Sequence, residues 1–383
     1  MRVVLAPDSF KGSLDALAAA KAMAAGVALA LSGAAVELFP MADGGEGTVR
    51  VLRDAAPGSV SKTVQTTDAL GRATSARYLM TADGVAMVEL AEASGLPAVA
   101  DRLSAGEATT LGTGVVVKDA LGAGARQIVL FLGGSATSDG GAGILQALGA
   151  RLTDKEGKTL EPGGAALARI DKIDLTGLMP KARAARWRLA VDVTNPLTGP
   201  RGAAAVFGPQ KGASPPDVAL LDRALAVWAQ TLSSQVGPVD PTAPGLGAAG
   251  GTPAAIVAAF GAELTSGAEL VAESTGLVAA LPGADLLITG EGSFDAQSLD
   301  GKVVGTLAAL AASTRVPVLV IAGSVAGPWG ARRQAGIIGA RSLADGPRDL
   351  AYLKSHAAEL VTAATADALG TWIAGKSSWR AQP

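Results

Sequence analysis

The chain has 383 residues, of which 49% are hydrophobic and only 3% aromatic, and its formal net charge is −2. This length favours two domains over one, and the near-neutral charge predicts no nucleic-acid or anionic-membrane partner. The sequence contains no cysteine, which excludes disulfides, thiolate metal sites and cysteine nucleophiles. Because it also lacks the pattern of a signal peptide or a membrane span, we expect a soluble, cytoplasmic protein.

The first predicted elements alternate between strand and helix. Strands are predicted at 2–6 and 35–39, with a helix between them at about 14–31 and a second helix at about 47–55. Such alternation is typical of βαβ units that form a parallel sheet.

From residue 61 the pattern changes to three short strand-like runs. They cover 61–69, 73–81 and 84–90 and are separated by turn signals that contain glycine. We interpret them as an antiparallel meander that marks a domain boundary.

Alternation of strands and helices then resumes and continues into the C-terminal part. Strands are predicted at 126–134, 186–196, 284–292 and 316–324, with a helix at 303–312. Because the last strands resemble the first two, we predict that both chain ends form one domain and that the middle is inserted into it. The predicted fold class is therefore α/β, with two α/β domains and a cleft between them. The predicted domains are a discontinuous Rossmann-like one, 1–62 plus 285–383, and an inserted one with antiparallel strands, 63–284.

Four further features are interpreted from their local patterns. The glycine- and proline-rich stretch 237–253 is predicted to be flexible, either as a lid near a cleft or as an exposed linker. "GTWIAGKS" at 370–377 matches the P-loop pattern without the required strand and helix, and is interpreted as a frayed tail. The basic run 181–188 is interpreted as a solvated turn. His356, the only histidine, is expected on the surface of the C-terminal helix, which leaves acid–base chemistry to Asp, Glu or Lys.

Six predicted strand ends are followed by loops rich in Gly, Ser or Thr, with a carboxylate or a lysine in most of them. The loops are 6–13, 41–48, 132–143, 191–200, 289–302 and 322–325. Ligands of open α/β sheets collect outside the carboxyl ends of the strands, so we expect these loops to meet at one site.

The loop 132–143 suggests phosphate binding. Ser135, Thr137 and the backbone N–H groups at the start of the following helix would suit phosphate oxygens, although a tight turn that needs glycine is the alternative. Lys11 and Lys211 lie in other loops and could pair with a phosphate or a carboxylate. Asp192 follows an apolar strand, where a carboxylate costs desolvation free energy unless it has a partner or a function.

The acidic loops suggest a metal. Asp43 and Glu46 bracket a Gly-Gly pair in "MADGGEGT", and "TGEG" around Glu291 repeats the design. Such carboxylates suit Mg²⁺, although Glu46 could instead be a first-turn carboxylate of a helix. No G-x-G-x-x-G follows the first strand, which counts against a nicotinamide-dependent dehydrogenase. The residues alone favour a kinase that acts on a small anion.

Six motifs carry a resemblance to a known family. In chain order they are "APDSFKGSL", "PMADGGEGT", "LGGSATSDGGAG", "DVTNPLTGPRGAAAVFGPQKGA", "GADLLITGEGSFDAQSLDGK" and "VPVLVIAGSV". With these motifs the chain resembles the bacterial type I glycerate kinase family almost from end to end. The resemblance implies phosphorylation of D-glycerate by ATP with Mg²⁺, at the 2-hydroxyl, in an active site between two α/β domains. Asp300 stands where a histidine is frequent in the family, which leaves the role of that position open.

Roles for individual residues follow from the loops and the resemblance together. Asp192 is expected to orient the substrate hydroxyl and accept its proton, and Lys11 and Lys211 to neutralise the glycerate carboxylate and the phosphoryl group, in an unassigned order. The residues expected to bind the substrate are Asp8, Ser9, Asp43, Gly44, Gly45, Glu46 and Asn195. Those expected to bind the nucleotide are Gly133, Gly134, Ser135, Thr137, Gly290, Glu291, Gly292, Asp295 and Lys302, with Asp43 and Glu291 as metal ligands.

Two alternatives to this function stay open. One is a glycerate 3-kinase that forms 3-phosphoglycerate, and the other is a non-catalytic hydroxy-acid-binding protein on the same fold. The sequence also leaves open whether the chain forms a homodimer.

Overall fold

The computed structural model describes residues 1–45, 47–55, 58–299, 302–327, 330, 333, 335–344 and 346–380. The strands are β1 Arg2–Leu5, β2 Ala35–Leu38, β3 Val60–Thr67, β4 Ala73–Met80, β5 Val85–Glu89, β6 Gln127–Phe131, β7 Arg151–Thr153, β8 Lys172–Asp174, β9 Arg186–Ala190, β10 Glu263–Thr265, β11 Leu286–Phe294, β12 Val318–Val325 and β13 Ile337–Ser342. The α-helices are α1 Ala16–Ala30, α2 Thr48–Ala55, α3 Ala91–Ser94, α4 Leu111–Gly122, α5 Ala142–Ala147, α6 Pro180–Ala184, α7 Ala203–Phe207, α8 Pro215–Gln235, α9 Thr252–Phe260, α10 Gly267–Ser274, α11 Leu277–Ala280, α12 Val303–Thr314, α13 Leu350–Ser355 and α14 Ala357–Arg380.

The chain divides into two compact units. The first unit comprises Met1–Asp43, Arg50–Pro57 and Ala268–Pro383, and the second comprises Gly44–Val49 and Gly58–Gly267. The domain boundaries predicted from the sequence, 62/63 and 284/285, stay a prediction. The predicted α/β architecture, with one domain built from both chain ends, is confirmed.

The first unit contains a five-stranded parallel sheet in the order β13-β12-β11-β1-β2. β1 is fully buried at Val3, Val4 and Leu5, as expected of a central strand in such a sheet. α1 packs against α14, and the hydroxyl of Thr362 donates a hydrogen bond to the carbonyl of Ala22 at 3.0 Å. The first and last helices of the chain therefore share one core.

The second unit contains a six-stranded mixed sheet in the order β10-β9-β6-β5-β4-β3. β3, β4 and β5 pair antiparallel, which confirms the predicted meander, while β5, β6, β9 and β10 pair parallel. Two tryptophans fill the core of this unit. Trp187 stacks on Phe260 with ring centroids 4.5 Å apart, and Trp228 donates its indole N–H to the carbonyl of Gly140 at 3.0 Å.

The stretch 237–253 is packed into the second unit, so its prediction as a flexible lid or an exposed linker is wrong. Leu246 and Ala248 are buried, and the N–H of Gly140 donates to the carbonyl of Gly250 at 3.0 Å. A Cβ on Gly250 would lie 1.9 Å from the carbonyl oxygen of Thr137. The glycines of this stretch therefore allow two backbone segments to approach closely. A glycine-rich composition looks the same whether the glycines serve close packing or flexibility.

Three other local interpretations also need correction. Residues 370–377 lie within α14, so they form a helix and not a frayed tail. The basic run 181–188 is not a solvated turn, because it forms α6 and β9 and because Trp187 is buried. His356 lies at the junction between α13 and α14, where its ring stacks on Tyr352. Among the described residues, no helix is long and apolar enough to cross a membrane.

Candidate active site

Three carboxylates lie at one edge of the sheet in the first unit. Asp8 follows β1, Asp43 follows β2, and Glu291 lies in the second half of β11. These strands are neighbours in the parallel order β11-β1-β2, so their carboxyl ends meet at the same edge. The sequence predicted that six loops meet at one site, and three of these loops carry the carboxylates at this edge.

Asp8 is 9% exposed, and both its side chain and its backbone N–H form hydrogen bonds with backbone groups. Its Oδ1 accepts a hydrogen bond from the N–H of Ser9 at 2.6 Å, and its own N–H donates to the carbonyl of Gly290 at 2.8 Å. Burial, followed by the Asp43 carboxylate, raises the pKa of Asp8 to about 7. A perturbed carboxyl group beside other carboxylates is a recognised indicator of a functional site.

Lys11 brings a cation to this edge of the sheet. Its Nζ lies 3.9 Å from Oδ2 of Asp43, and its side chain is 81% exposed. Such an exposed ion pair contributes little to folding stability. The ammonium group of Lys11 is therefore placed to bind an anion from solvent.

Glu291 is the buried member of the carboxylate group. It is 8% exposed, and its Oε1 has no hydrogen-bond partner among the described residues. Burial raises the pKa of Glu291, while the Ser298 hydroxyl and Lys302 oppose the shift. A buried carboxylate oxygen without a donor is a site where a cation would be stabilised.

These residues fit Mg²⁺ better than a metal that needs an all-protein site. Among the described residues, no group of three or more His, Cys, Asp or Glu side chains is arranged to hold a metal ion. Mg²⁺ binds through one or two carboxylates together with substrate phosphates and water. Asp43 and Glu291 can supply those carboxylates.

The remaining predicted residues of the loop 289–302 have structural contacts. Oδ1 of Asp295 accepts from the N–H groups of Gln297 at 2.9 Å and Ser298 at 3.3 Å, and Lys302 is the residue before α12. A Cβ on Gly290 would lie 2.1 Å from the carbonyl oxygen of Ile321, so strand packing requires that glycine. Asp300, the position where the chain departs from the family pattern, lies outside the described residues.

The Gly-Gly pair of "MADGGEGT" belongs to the second unit and packs closely there. A Cβ on Gly44 would lie 2.9 Å from Cα of Gly267, and one on Gly133 would lie 2.4 Å from Cα of Gly45. The predicted glycines 44, 45 and 133 therefore allow three backbone segments of the second unit to meet. Glu46 lies outside the described residues.

The buried Glu89 at the end of β5 holds this turn. Its Oε1 accepts from the N–H of Gly47 at 2.6 Å, and its Oε2 accepts from the N–H of Val49 at 3.3 Å. A carboxylate at the start of α2 is favoured by the unpaired N–H groups and by the helix dipole. Sequence reasoning missed Glu89, because it lies 42 residues from its partner and reads as part of an ordinary strand.

The loop after β6 is tied together by its own hydroxyl groups. The hydroxyls of Ser135 and Thr137 lie 3.0 Å apart, and both side chains are buried. Lys211 is 3% exposed, and its Nζ donates to the carbonyl of Thr137 at 2.6 Å. Burial lowers the pKa of Lys211 to about 8, although Asp139 opposes the shift. The predicted catalytic lysine thus makes a buried contact with the backbone of this loop.

Asp139 lies in the same loop and was not among the residues singled out from the sequence. It is fully buried, and its carboxylate accepts from the N–H groups of Gly141 and Gly143 at 3.2 Å each. It also accepts from the N–H of Thr110 at 2.7 Å and from the hydroxyls of Thr109 at 3.1 Å and Thr110 at 2.9 Å. Burial raises the pKa of Asp139, and these donors oppose the shift.

The contacts of Asp139 correct one part of the phosphate-binding hypothesis. The N–H groups of Gly141 and Gly143, which were expected to meet phosphate oxygens, already donate to a carboxylate of the protein. The sequence could have indicated these contacts, because an aspartate just before the start of a helix typically accepts hydrogen bonds from its first N–H groups.

Asp192 and Asn195 lie after β9, in the second unit. Asp192 is exposed, so the argument that its burial would cost desolvation free energy is wrong. Its Oδ1 accepts from the N–H of Gly267 at 3.0 Å. Asn195 donates its side-chain amide to the carbonyl of Arg201 at 2.8 Å, which shapes the loop. The proposed role of Asp192 as the base stays a prediction.

Comparisons with known proteins agree with one another. The family model described as "Glycerate kinase family" matches residues 3–373. The chain is 42% identical to "Glycerate kinase" of Bacillus subtilis (strain 168) over 94% of both chains. It is also 42% identical to "Glycerate 2-kinase" of Escherichia coli (strain K12), over 88% of this chain and 89% of that protein. A crystal structure assigned as glycerate kinase 2 from Salmonella typhimurium LT2 is similar with a TM-score of 0.87 and 40% identity, covering 98% of this chain and 99% of that one.

Proposed function

The chain belongs to the glycerate kinase family, and from that premise we propose that it transfers the γ-phosphoryl group of ATP to the 2-hydroxyl of D-glycerate. The enzyme is a phosphotransferase. In the proposed reaction the 2-hydroxyl oxygen bonds to the γ-phosphorus while the bond from that phosphorus to the leaving oxygen breaks. The hydroxyl proton passes to a carboxylate, and the products are 2-phosphoglycerate and ADP.

The choice of the 2-hydroxyl is supported by a relative. The Escherichia coli protein named "Glycerate 2-kinase" is 42% identical to this chain along most of its length. An exchange of the phosphorylated hydroxyl would require a different placement of a three-carbon acid in the site, and identity at this level favours the same placement.

The observation that carries the proposal is the group of Asp8, Asp43 and Glu291 with Lys11 at one sheet edge. Phosphoryl transfer proceeds through a loose transition state, so the enzyme contributes mainly by positioning and by neutralising charge. The exposed ammonium of Lys11 can bind the glycerate carboxylate or a phosphate oxygen. Asp8, with its pKa raised to about 7, suits a hydrogen bond to a substrate hydroxyl in either protonation state.

Asp43 and Glu291 are the residues that would hold Mg²⁺, with the unpartnered Oε1 of Glu291 as one ligand atom. When bound, Mg²⁺ would neutralise negative charge on the phosphate oxygens. Glu291 lies within β11, and Asp43 lies in the loop that follows β2. Asp192 is the proposed acceptor of the hydroxyl proton.

The product of the reaction tests the proposal. The purified protein would be incubated with D-glycerate, ATP and Mg²⁺, and the product given to enolase with and without phosphoglycerate mutase. We expect phosphoenolpyruvate to form with enolase alone, because enolase accepts 2-phosphoglycerate. A requirement for the mutase would contradict phosphorylation at the 2-hydroxyl, and binding of D-glycerate without ADP formation would contradict the kinase assignment.

A further inference from the structure

A pocket of about 160 Å³ lies within the first unit, at the carboxyl ends of two strands. Gly292 of β11 and Gly323 and Ser324 of β12 form one wall, and these strands are parallel neighbours in the sheet. The carboxyl ends of parallel strands are the usual place for ligands in open α/β sheets. Lys11 also lines the pocket, and its Nζ lies 3.9 Å from Oδ2 of Asp43, which links the pocket to the carboxylate group.

A further part of the lining comes from α13 and is largely apolar. Leu350, Leu353 and Lys354 occupy one face of this short helix, and all three line the pocket together with Phe10 and Leu343. Leu350 is 65% exposed, although most large aliphatic side chains of the protein are buried. An exposed leucine in a concave apolar wall is suited to contact with a flat apolar ligand.

Two ammonium groups stand at the rim of the same pocket. Lys11 and Lys354 both line it, and the Nζ of Lys354 lies 3.2 Å from the position that a Cβ on Gly12 would occupy. Both lysine side chains are exposed, so they can contact an anion at the mouth of the pocket. The combination of an apolar interior and a cationic rim fits a ligand with a hydrophobic ring and a negatively charged tail.

The packing around position 292 does not require a glycine. A Cβ at this position would meet its nearest atom, the backbone N of Lys11, at 3.5 Å, which is an ordinary contact, and its φ is not in the left-handed region. The fold therefore has room for alanine here. A glycine leaves this wall of the pocket open for a ligand to approach the backbone closely.

We propose that this pocket binds the purine ring of the nucleotide substrate and that Lys354 and Lys11 face its phosphates; the proposal rests on the kinase function proposed above. Glycerate itself is a poor occupant, because each of its three carbons carries an oxygen and it has no apolar surface to place against Phe10, Leu343, Leu350 and Leu353. The purine would lie between strand ends and α13. The phosphate chain would extend from the rim past Lys11, which also pairs with Asp43 of the carboxylate group.

Binding of MgADP in the absence of glycerate tests this proposal directly. Titration calorimetry would compare the wild type with Gly292→Ala, Leu350→Ser and Lys354→Met. We expect each variant to bind MgADP at least about tenfold more weakly, because each loses one part of the pocket. Inorganic tripolyphosphate, which has no base, should bind Gly292→Ala and Leu350→Ser as it binds the wild type, and should bind Lys354→Met more weakly.

Matched controls separate the pocket from general effects on folding. Gly370→Ala lies on α14 with nothing within 4 Å of the added carbon, and Lys21→Met removes an exposed lysine of α1. Both controls should bind MgADP like the wild type, and far-UV circular dichroism should show that all variants are folded. If folded Gly292→Ala and Leu350→Ser bind MgADP as tightly as the wild type, the pocket assignment is overturned.

The outcome is distinguishable from a failure of the proposed function. A wild-type protein that binds MgADP through this pocket but does not phosphorylate D-glycerate would remove the kinase assignment and keep the pocket. A wild-type protein that phosphorylates D-glycerate, with the KM for ATP unchanged in the pocket variants, would remove the pocket and keep the kinase.

Discussion

Asp139 and Asp192 both follow apolar strands of the second unit, but their carboxylates have different surroundings. Asp139 is fully buried and accepts hydrogen bonds from five donors, whereas Asp192 is exposed, with the N–H of Gly267 donating to its Oδ1. Burial and saturation with donors indicate a structural role, and exposure leaves a carboxylate accessible to a substrate. The same residue type after a strand therefore predicts neither role by itself.

Replacement of Asp139 by Asn should strongly destabilise the protein. The asparagine amide can accept through only one oxygen, so buried donors from Thr110, Gly141 or Gly143 lose their partner. We expect a loss of about 2–4 kcal/mol in the free energy of unfolding, measured by denaturant titration. Asp240→Asn is the matched control, since Asp240 also accepts from a backbone N–H and a hydroxyl but is exposed; its effect should stay within about 0.5 kcal/mol. Equal effects of the two substitutions would contradict the structural role of Asp139.

Lys211 should give the protein a distinct dependence of stability on pH. Its pKa is lowered to about 8 in the folded state from the ordinary lysine value of 10.5, so the unfolded chain binds more protons between these two values. Stability from this residue therefore rises as the pH rises through that window, by up to about 3 kcal/mol. The measurement is the difference in unfolding free energy between the wild type and Lys211→Met as a function of pH, with Lys118→Met as the control. A difference that falls or stays constant as the pH rises would count against the lowered pKa of Lys211.

Asp192→Asn tests the proposed proton acceptor. The substitution keeps the shape of the side chain and removes the base, and the oxygen of the amide can still accept from the N–H of Gly267. We expect kcat for D-glycerate phosphorylation to fall more than about tenfold, which corresponds to about 1.4 kcal/mol of barrier, while the melting temperature changes little. A smaller fall in kcat would show that Asp192 is not the base.

At the scale of elements, a side chain at the end of β5 binds the backbone at the start of α2. The carboxylate of Glu89 accepts hydrogen bonds from the N–H groups of Gly47 and Val49. The hydroxyl of Thr48 donates to the carbonyl of Gly45 at 2.7 Å. The turn is therefore ordered from inside the second unit.

Glu89→Gln should loosen this turn without unfolding the protein. One of the two carboxylate oxygens becomes an NH₂ group that cannot accept, so one backbone N–H loses its partner. We expect the amide hydrogens of Gly47 or Val49 to exchange at least about tenfold faster, as measured by hydrogen–deuterium exchange. Glu92→Gln on α3 serves as the control, since Glu92 pairs with Arg77 and has no contact with the turn in the hydrogen bonds described. Unchanged exchange in Glu89→Gln would show that other contacts hold the turn.

The sequence predicted elements well where hydrophobic periodicity was clear. The apolar runs predicted β6, β9, β11 and β12, and the turn signals around 70–72 and 82–84 predicted the meander. The packed stretch 237–253 was missed because its glycines permit close contact between backbones, which only the partner segment reveals. Glu89 was missed, and the buried contact of Lys211 was not foreseen, because their hydrogen-bond partners lie 42 and 74 residues away.

At the scale of the whole molecule, the first unit depends on the packing of the first helix against the last. A Cβ on Gly26 of α1 would lie 2.4 Å from the carbonyl oxygen of Thr362 and 2.7 Å from Cβ of Thr365. The backbones of two helices meet here, so neither can move away without loss of the contacts along its length.

Gly26→Ala should therefore destabilise the protein although alanine favours helix. The clash in a packed contact is expected to cost about 1–3 kcal/mol, which exceeds the gain of about 1 kcal/mol in helix propensity at its upper end. Gly370→Ala on α14 makes the same exchange in open space and should be neutral or stabilising. Denaturant titration of both variants gives the comparison, and a Gly26→Ala protein more stable than Gly370→Ala would contradict the close packing of α1 on α14.

The position of β1 between β2 and β11 has a consequence for synthesis on the ribosome. β1 and β2 emerge first, but β11, the other neighbour of β1, follows only after about 250 further residues. At about 5–20 residues per second, the two strands must wait roughly ten seconds to a minute for that neighbour. During that time the edge of β1 that β11 will cover can pair with other chains, so nascent protein is the stage at which aggregation is expected. The inserted segment, which is complete before β11 appears, can meanwhile fold on its own sheet.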